Sequence, residues 1–281
     1  MGSGGGQWSD LDRPPLDEAR LRSVLRVGGS DSWWRELRVV DATDSTNADL
    51  VTAATGGAPE ASVLVAEHQR AGRGRLGRGW DAPARSALTL SVLVRPDVHA
   101  ARWPWLPLLV GVVTAETVRS TTDLDATVKW PNDVLVDDRK LAGVLAERVD
   151  TPAGPAAVLG IGINVTNTRL ELPVPTATSL ALEHARSTDR HVLLLELLRT
   201  LEAVYMAWVR EHGDAAAGLH ASYVRRCSTL GRQVRVELPD GTELTGRADS
   251  VDGTGRLVVI TSTGRRPLGA GEVVHVRAAP I

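Results

Sequence analysis

The chain has 281 residues, enough for one large domain with an appendage or for two modest ones. With 43% hydrophobic and 23% charged residues, no apolar run of membrane-spanning length and no cationic-then-apolar leader, it reads as a soluble globular protein. No membrane partner and a cytoplasmic location are expected. A net charge of −2 argues against a non-specific nucleic-acid binder. The single Cys227 can form no internal disulfide and has no neighbouring metal ligands, so it reads as a semi-buried thiol.

In chain order, Met1–Gly6 reads as flexible tail, and Leu16–Val27 has the amphipathic spacing of a short helix after Pro14-Pro15. Strands are predicted over Glu36–Asp41, Ala61–Glu67 and Leu88–Val94, which are rich in Val and Leu. A helix over Ser45–Ala54 has Asp44 or Ser45 available as its N-cap. The strongest helices are Leu106–Arg119 and Val192–Glu211; in the second, Leu193, Leu197, Leu201, Val204 and Trp208 recur at helical spacing and belong to the core. Between them come strands over Ala126–Trp130, Val134–Val136, Leu141–Arg148 and Ala157–Val165, with turns at Pro131-Asn132-Asp133 and Asp137-Asp138. From Thr229 the texture becomes short alternating strands (Gln233–Leu238, Glu243–Ala248, Leu257–Ile260, Val273–Val276), as in a small β-barrel. The expected organisation is α+β: a tail over 1–15, a mixed-sheet domain over 16–225, and a barrel over 226–281.

Five segments carry the candidate chemistry. Gln69 to Trp80 (QRAGRGRLGRGW) follows a strand and holds four glycines and four arginines. It suits a mobile loop whose backbone comes close to an anion that the guanidinium groups bind. A solvated surface loop, or an arginine-glycine segment that binds RNA, would have the same composition. Lys129-Trp130-Pro131-Asn132-Asp133 sets a cation, an amide and a carboxylate across a turn, although Pro, Asn and Asp favour turns anyway. Lys140-Leu141-Ala142-Gly143 opens the next strand, and Gly160-Ile161-Gly162-Ile163-Asn164 puts glycines inside an apolar strand, where they weaken a sheet unless backbone or ligand comes close. Asp44-Ser45-Thr46-Asn47 could be no more than a helix cap. What the bland readings leave unexplained is clustering. Of 32 lysines and arginines only Lys129 and Lys140 are lysine, and three of the four asparagines (Asn47, Asn132, Asn164) fall in the same segments.

In this order and spacing, DSTN, QRAGRGRLGRGW, KWPND, KLAGVLAE and GIGIN resemble the biotin protein ligases, over roughly residues 37–281. The resemblance implies a class II aminoacyl-tRNA-synthetase-like catalytic domain followed by a small SH3-like barrel. It implies the ligase-only form, since the forty or so residues ahead of the sheet domain leave no room for a winged helix-turn-helix; no DNA partner is expected. It further implies ATP as co-substrate with Mg²⁺, biotin as substrate, and a biotin carboxyl carrier domain of an acyl-CoA carboxylase as acceptor. By the same resemblance Ser45, Thr46, Asn47 and Gln69 take the ureido end of biotin. Gly72, Arg73, Gly74, Arg75, Lys140 and Gly143 complete its pocket, with Lys140 and Arg75 catalytic. Arg73, Arg75, Arg78, Trp80, Lys129, Asn132, Asp133 and Asn164 serve the nucleotide, and Asp133 its metal. A lipoate–protein ligase, with related fold and chemistry, is the closest alternative.

Overall fold

The structure is a computed structural model that describes residues 13–276. After a short helix α1 (Glu18–Val24), a seven-stranded sheet is built from β1 (Glu36–Val40), β2 (Ser62–Ala66), β5 (Ala87–Val94), β6 (Thr127–Lys129), β7 (Asp133–Val136), β8 (Arg139–Thr151) and β9 (Gly154–Asn164). Its order is β1-β2-β5-β9-β8-β7-β6, with β1 and β2 parallel and the other neighbours antiparallel. The glycine-arginine segment, expected to be a mobile loop, forms a small hairpin of β3 (Gly72–Arg73) and β4 (Gly79–Trp80). At its tip Leu76 and Gly77 take φ of 55° and 74°, the left-handed conformations of a tight two-residue turn.

Strand alternation sorts the central residues onto two faces. On one, Leu88, Leu90, Val92, Leu159, Ile161 and Ile163 meet the long helices α3 (Trp105–Thr122) and α4 (Arg190–Arg210) in the main core. On the other, helix α2 (Thr46–Thr55) lays Leu50 and Ala54 against Leu93, Val149 and Val158. Ser45 caps α2, its hydroxyl accepting from the Ala48 amide. This second face changes character along the strands. Its paired rows run Leu93–Val158–Glu147, then Ser91–Gly160–Leu145, then Thr89–Gly162–Gly143. Side chains shrink and turn polar just where α2 begins, which leaves a hollow between helix and sheet.

After the short helix α5 (Leu219–Arg226), the expected barrel is a five-stranded antiparallel sheet: β10 (Gln233–Glu237), β11 (Glu243–Val251), β12 (Leu257–Thr261), β13 (Gly264–Leu268) and β14 (Glu272–His275). Its order is β13-β12-β11-β10-β14; the outer strands β13 and β14 do not pair, so the ladder is open rather than closed. The sheet is docked through two indoles: Trp105 donates to Gly253 O at 3.0 Å and Trp130 to Gly255 O at 3.1 Å. Most of the expected tail, residues 1–12, lies outside the described residues. Arg13 and Pro14 at its end are held, Arg13 by Glu171 at 2.7 Å and the Pro14 carbonyl by Arg190 at 2.6 Å. Among the described residues no helix is long and apolar enough to cross a membrane.

Candidate active site

The hollow is a cavity of about 110 Å³ between the start of α2, the sheet rows above, the β3–β4 hairpin and the edge of the C-terminal sheet. Its deep end is neutral and hydrogen-bonding. Gln69 Oε1 accepts from the Thr46 amide at 2.8 Å and the Thr46 hydroxyl at 3.0 Å. The Thr46 hydroxyl also meets that of Ser91 at 2.7 Å, and Ser91 donates to Asn47 Oδ1 at 2.5 Å. Ser45, Thr46 and Asn47 are all buried here.

The mouth is cationic. Lys140 Nζ lies 2.7 Å from Asp133 Oδ1, a pair made possible by the tight β7–β8 connection. The Lys140 backbone is clasped by the loop after β9: its amide donates to Thr176 O and its carbonyl accepts from Thr178, each at 2.8 Å. Arg75 donates to Asn132 Oδ1 at 3.1 Å, and Asn132 is itself held by Val144 O at 2.8 Å. Burial pushes the Arg75 guanidinium below its ordinary pKa, opposed by the charges of Glu272 and Asp133. Arg78 pairs with Glu272 of β14 at 2.9 Å, and that hydrogen bond raises its pKa. A second cavity of about 310 Å³ adjoins on the far side of the Arg75–Asn132 bond, walled by Trp130, Pro104 and the Thr254–Arg256 turn of the C-terminal sheet.

The strand glycines now have a physical account. A Cβ at Gly160 would stand 2.2 Å from Asn47 Oδ1, one at Gly162 2.5 Å from Trp80 Cε2, and one at Gly72 2.2 Å from the Trp80 carbonyl. The close approach that glycine in a strand signals is therefore met by Asn47 and Trp80 themselves, and the Trp80 indole covers the Gly143–Gly162 pair.

Of the residues singled out in the sequence, Ser45, Thr46, Asn47, Gln69, Arg73, Gly74, Arg75, Arg78, Trp80, Asn132, Asp133, Lys140 and Gly143 all line the cavity. Three do not. Gly72 stands behind it beneath Trp80. Lys129 pairs with Asp133 only across the β6–β7 ladder, and its charge acts on His275. Asn164 is buried at the end of β9, where it donates to Thr178 O at 2.9 Å. Sequence reasoning passed over Thr89, Ser91, Glu147 and Glu272. Glu147 closes the KLAGVLAE segment, and strand parity with Gly143 and Leu145 would have placed it; Glu272 comes from a distant sheet and left no local signal.

Residues 39–164 match the Biotin/lipoate A/B protein ligase family, and residues 229–276 match the Biotin protein ligase C terminal domain. Over 273 residues the chain is 45% identical to the biotin--[acetyl-CoA-carboxylase] ligase of Mycobacterium tuberculosis, spanning 95% of this chain and 98% of that one. It is 34% identical over 265 residues to the bifunctional ligase/repressor BirA of Salmonella typhimurium, spanning 92% of this chain and 78% of that protein. Among solved structures, the biotin protein ligase from Aquifex aeolicus in complex with biotin and ATP superposes with a TM-score of 0.71 at 25% identity, covering 87% of this chain and all of that one. On likeness that runs nearly end to end in both chains, together with a cavity built from the matched motifs, the chain belongs to the biotin protein ligase family.

Proposed function

We propose that the protein is an ATP-dependent biotin ligase that forms biotinyl-5′-AMP and transfers the biotinyl group to a lysine of a biotin carboxyl carrier domain of an acyl-CoA carboxylase. The observation that carries this reading is the polarity of one cavity: neutral donors and acceptors at its deep end, cations at its mouth. Biotin has the same two ends, a ureido group and a carboxylate. Lipoate offers a dithiolane to the deep end and would leave buried polar groups unpaired, at about 1–3 kcal/mol for each.

In the first step a biotin carboxylate oxygen attacks the α-phosphorus of ATP, and pyrophosphate leaves. In the second the carrier amine attacks the acyl carbon, and AMP leaves. Neither step needs a protein nucleophile; positioning and charge stabilisation suffice. Lys140 sits at the carboxylate and is assigned to neutralise charge as the acyl–phosphate bond forms. Arg73 and Arg75 supply hydrogen bonds to the carboxylate and α-phosphate, Arg78 reaches the phosphates, and Trp80 covers the adenine side. Asn132 holds Arg75 in place. Lys129 and Asn164 act only indirectly, one through Asp133 on the neighbouring strand and the other through the loop that clasps Lys140.

Among the cavity-lining residues the carboxylates are Asp133 and Glu272, each paired with a cation. That sparse set fits an ion such as Mg²⁺ that relies little on protein carboxylates, and Asp133 would be the residue that holds it. When bound, the ion would supply charge neutralisation on the phosphates. We divide the chain into a tail (1–15), a catalytic domain (16–225) and a C-terminal unit (226–281), and assign it to the cytoplasm, where ATP and apo-carrier are found together.

The test is mass spectrometry of an apo-carrier domain after incubation with the protein, ATP, Mg²⁺ and biotin. The expected result is a gain of one biotinyl group on one lysine, lost when ATP is omitted. An unchanged carrier mass, or equal transfer of lipoate, would overturn the reading.

A further inference from the structure

The Asn47 side chain is held in one orientation by four neighbours. Its carboxamide lies against the bare Cα of Gly160, where any Cβ would overlap it. Its Nδ2 donates to Glu147 Oε2 at 2.6 Å and reaches Leu145 O at 3.3 Å, while Oδ1 accepts from Ser91 Oγ at 2.5 Å. A carboxamide carries donors only on nitrogen and acceptors only on oxygen. Turned over, it would set Oδ1 against a carboxylate and a carbonyl.

The consequence runs inward. Ser91 is fully buried and has one proton, which goes to Asn47. Ser91 Oγ therefore faces Thr46 Oγ1 as an acceptor, and Gln69 Oε1 is a second acceptor for the same hydroxyl. Thr46 has one proton and two internal oxygens to receive it. What it turns to the cavity is a lone pair.

We propose that Glu147, the last residue of the KLAGVLAE segment, is a positioning residue that sets ligand specificity. Through Asn47 and Ser91 it fixes the Thr46 hydroxyl as an acceptor, so the deep end of the cavity selects a ligand that brings an N–H donor there. This rests on the reading of the cavity as the biotin site, in which a ureido N–H is that donor. Without the Glu147 carboxylate, Asn47 Nδ2 keeps only the longer contact to Leu145 O, and the carboxamide can turn. Ser91 is then free to point its proton at Thr46, where it fills one of the two lone pairs of Oγ1, and the chain of bonds no longer fixes where the other one points.

The test is calorimetric titration of the parent chain, Glu147→Ala and Glu147→Gln with biotin and with its two ureido N-methyl derivatives. Circular dichroism and melting report the fold, and Glu147→Leu, which keeps the stem volume without the acceptor, is the second variant. Biotin should bind Glu147→Ala and Glu147→Leu about tenfold more weakly, the size of one hydrogen bond, and Glu147→Gln close to the parent, because its oxygen still accepts from Asn47. For one N-methyl isomer the parent should already bind weakly, and removing Glu147 should cost nothing more. Unchanged biotin affinity in Glu147→Ala and Glu147→Leu overturns the inference. So does an equal loss for biotin and both methylated forms, which would mean Glu147 acts on packing alone. A parent chain that binds no biotin overturns the site reading itself, and is seen before any variant is made.

Discussion

The Trp80 indole occupies the space a side chain at position 162 would need: a Cβ added to Gly162 would stand 2.5 Å from Cε2 and 2.8 Å from Nε1. At Gly143, its partner across the β8–β9 ladder, an added Cβ would meet Trp80 and the end of the Lys140 side chain at 3.4 Å, ordinary contact. The two glycines should therefore respond unequally. Gly162→Ala is expected to displace Trp80 and lower biotin-dependent ATP–pyrophosphate exchange at least about tenfold, the scale of one misplaced positioning group. Gly143→Ala should cost far less. Equal effects of the two substitutions would contradict the assignment of Trp80 to the cavity wall.

Lys140→Ala removes the cation nearest the reacting carboxylate and leaves Asp133 without its partner. Adenylate formation should fall by about 10²–10³, the range for loss of one charge-stabilising group, with circular dichroism unchanged. Arginine should not fully restore activity, because its planar fork differs from an ammonium in reach and geometry. Near-normal exchange by a folded Lys140→Ala would remove Lys140 from the chemistry.

Arg75 spans the boundary between the two cavities, so its removal should loosen the hold on the reactive mixed anhydride. A charged hydrogen bond of ~1.5–3 kcal/mol corresponds to roughly ten- to hundredfold weaker retention. Arg75→Gly is therefore expected to make some adenylate but release it, labelling an unrelated lysine-rich protein that the parent chain leaves unmodified. A streptavidin blot reads the difference. Adenylate made and retained by the variant as by the parent would exclude this role.

The β3–β4 hairpin is held at its base by two residue pairs and the Trp80 indole on Gly162, and at its tip by Arg75–Asn132 and by Arg78–Glu272, whose exposed guanidinium limits that bond to about 1 kcal/mol or less. Trypsin should cut at Arg73, Arg75 or Arg78 in the unliganded protein and more slowly with biotin and ATP. Equal rates in both conditions would mean the hairpin does not close on ligand.

His275 should make the docking of the C-terminal sheet pH-dependent. Burial, reinforced by the charges of Lys129 and Arg232 and opposed by Asp138, lowers its pKa from 6.5 to about 4. Arg232 approaches Nδ1, so the neutral ring carries its proton on Nε2 and donates to Thr229 Oγ1, which also accepts from the Trp130 amide. As pH falls below about 6.5 the unfolded imidazole takes up a proton while the folded one stays neutral until about 4. The unfolded state binds more protons across that window, so stability is full above it and is lost as pH falls through it. Melting temperature should drop less steeply over this range in His275→Gln than in the parent; parallel slopes would rule His275 out.

Much of this was legible in the sequence because it is local. Periodicity located α3 and α4, turn residues located the β6–β7 and β7–β8 connections, and glycines in a strand announced a close approach. What was missed is what distance along the chain hides. Strand β13 carries two arginines and a proline on an exposed edge and lacks alternation, and α5 buries only Tyr223. The hairpin forms because Trp80 has a place to sit on Gly162, about eighty residues away, a fact no local pattern contains. Glu272 reaches the cavity only because a second sheet docks beside it.

That docking has a consequence for how the chain can be cut or recombined. The indole N–H groups of Trp105 and Trp130, both buried, end on backbone carbonyls of one turn, Gly253 and Gly255. A truncation at residue 228 would leave the N–H groups of two core tryptophans to water and strip the cover from their apolar rings, one of them inside the turn that carries Asn132 and Asp133. The C-terminal unit is thus the missing wall of the catalytic one, and exchange with the corresponding unit of a relative would keep activity only where that turn presents its two carbonyls in register.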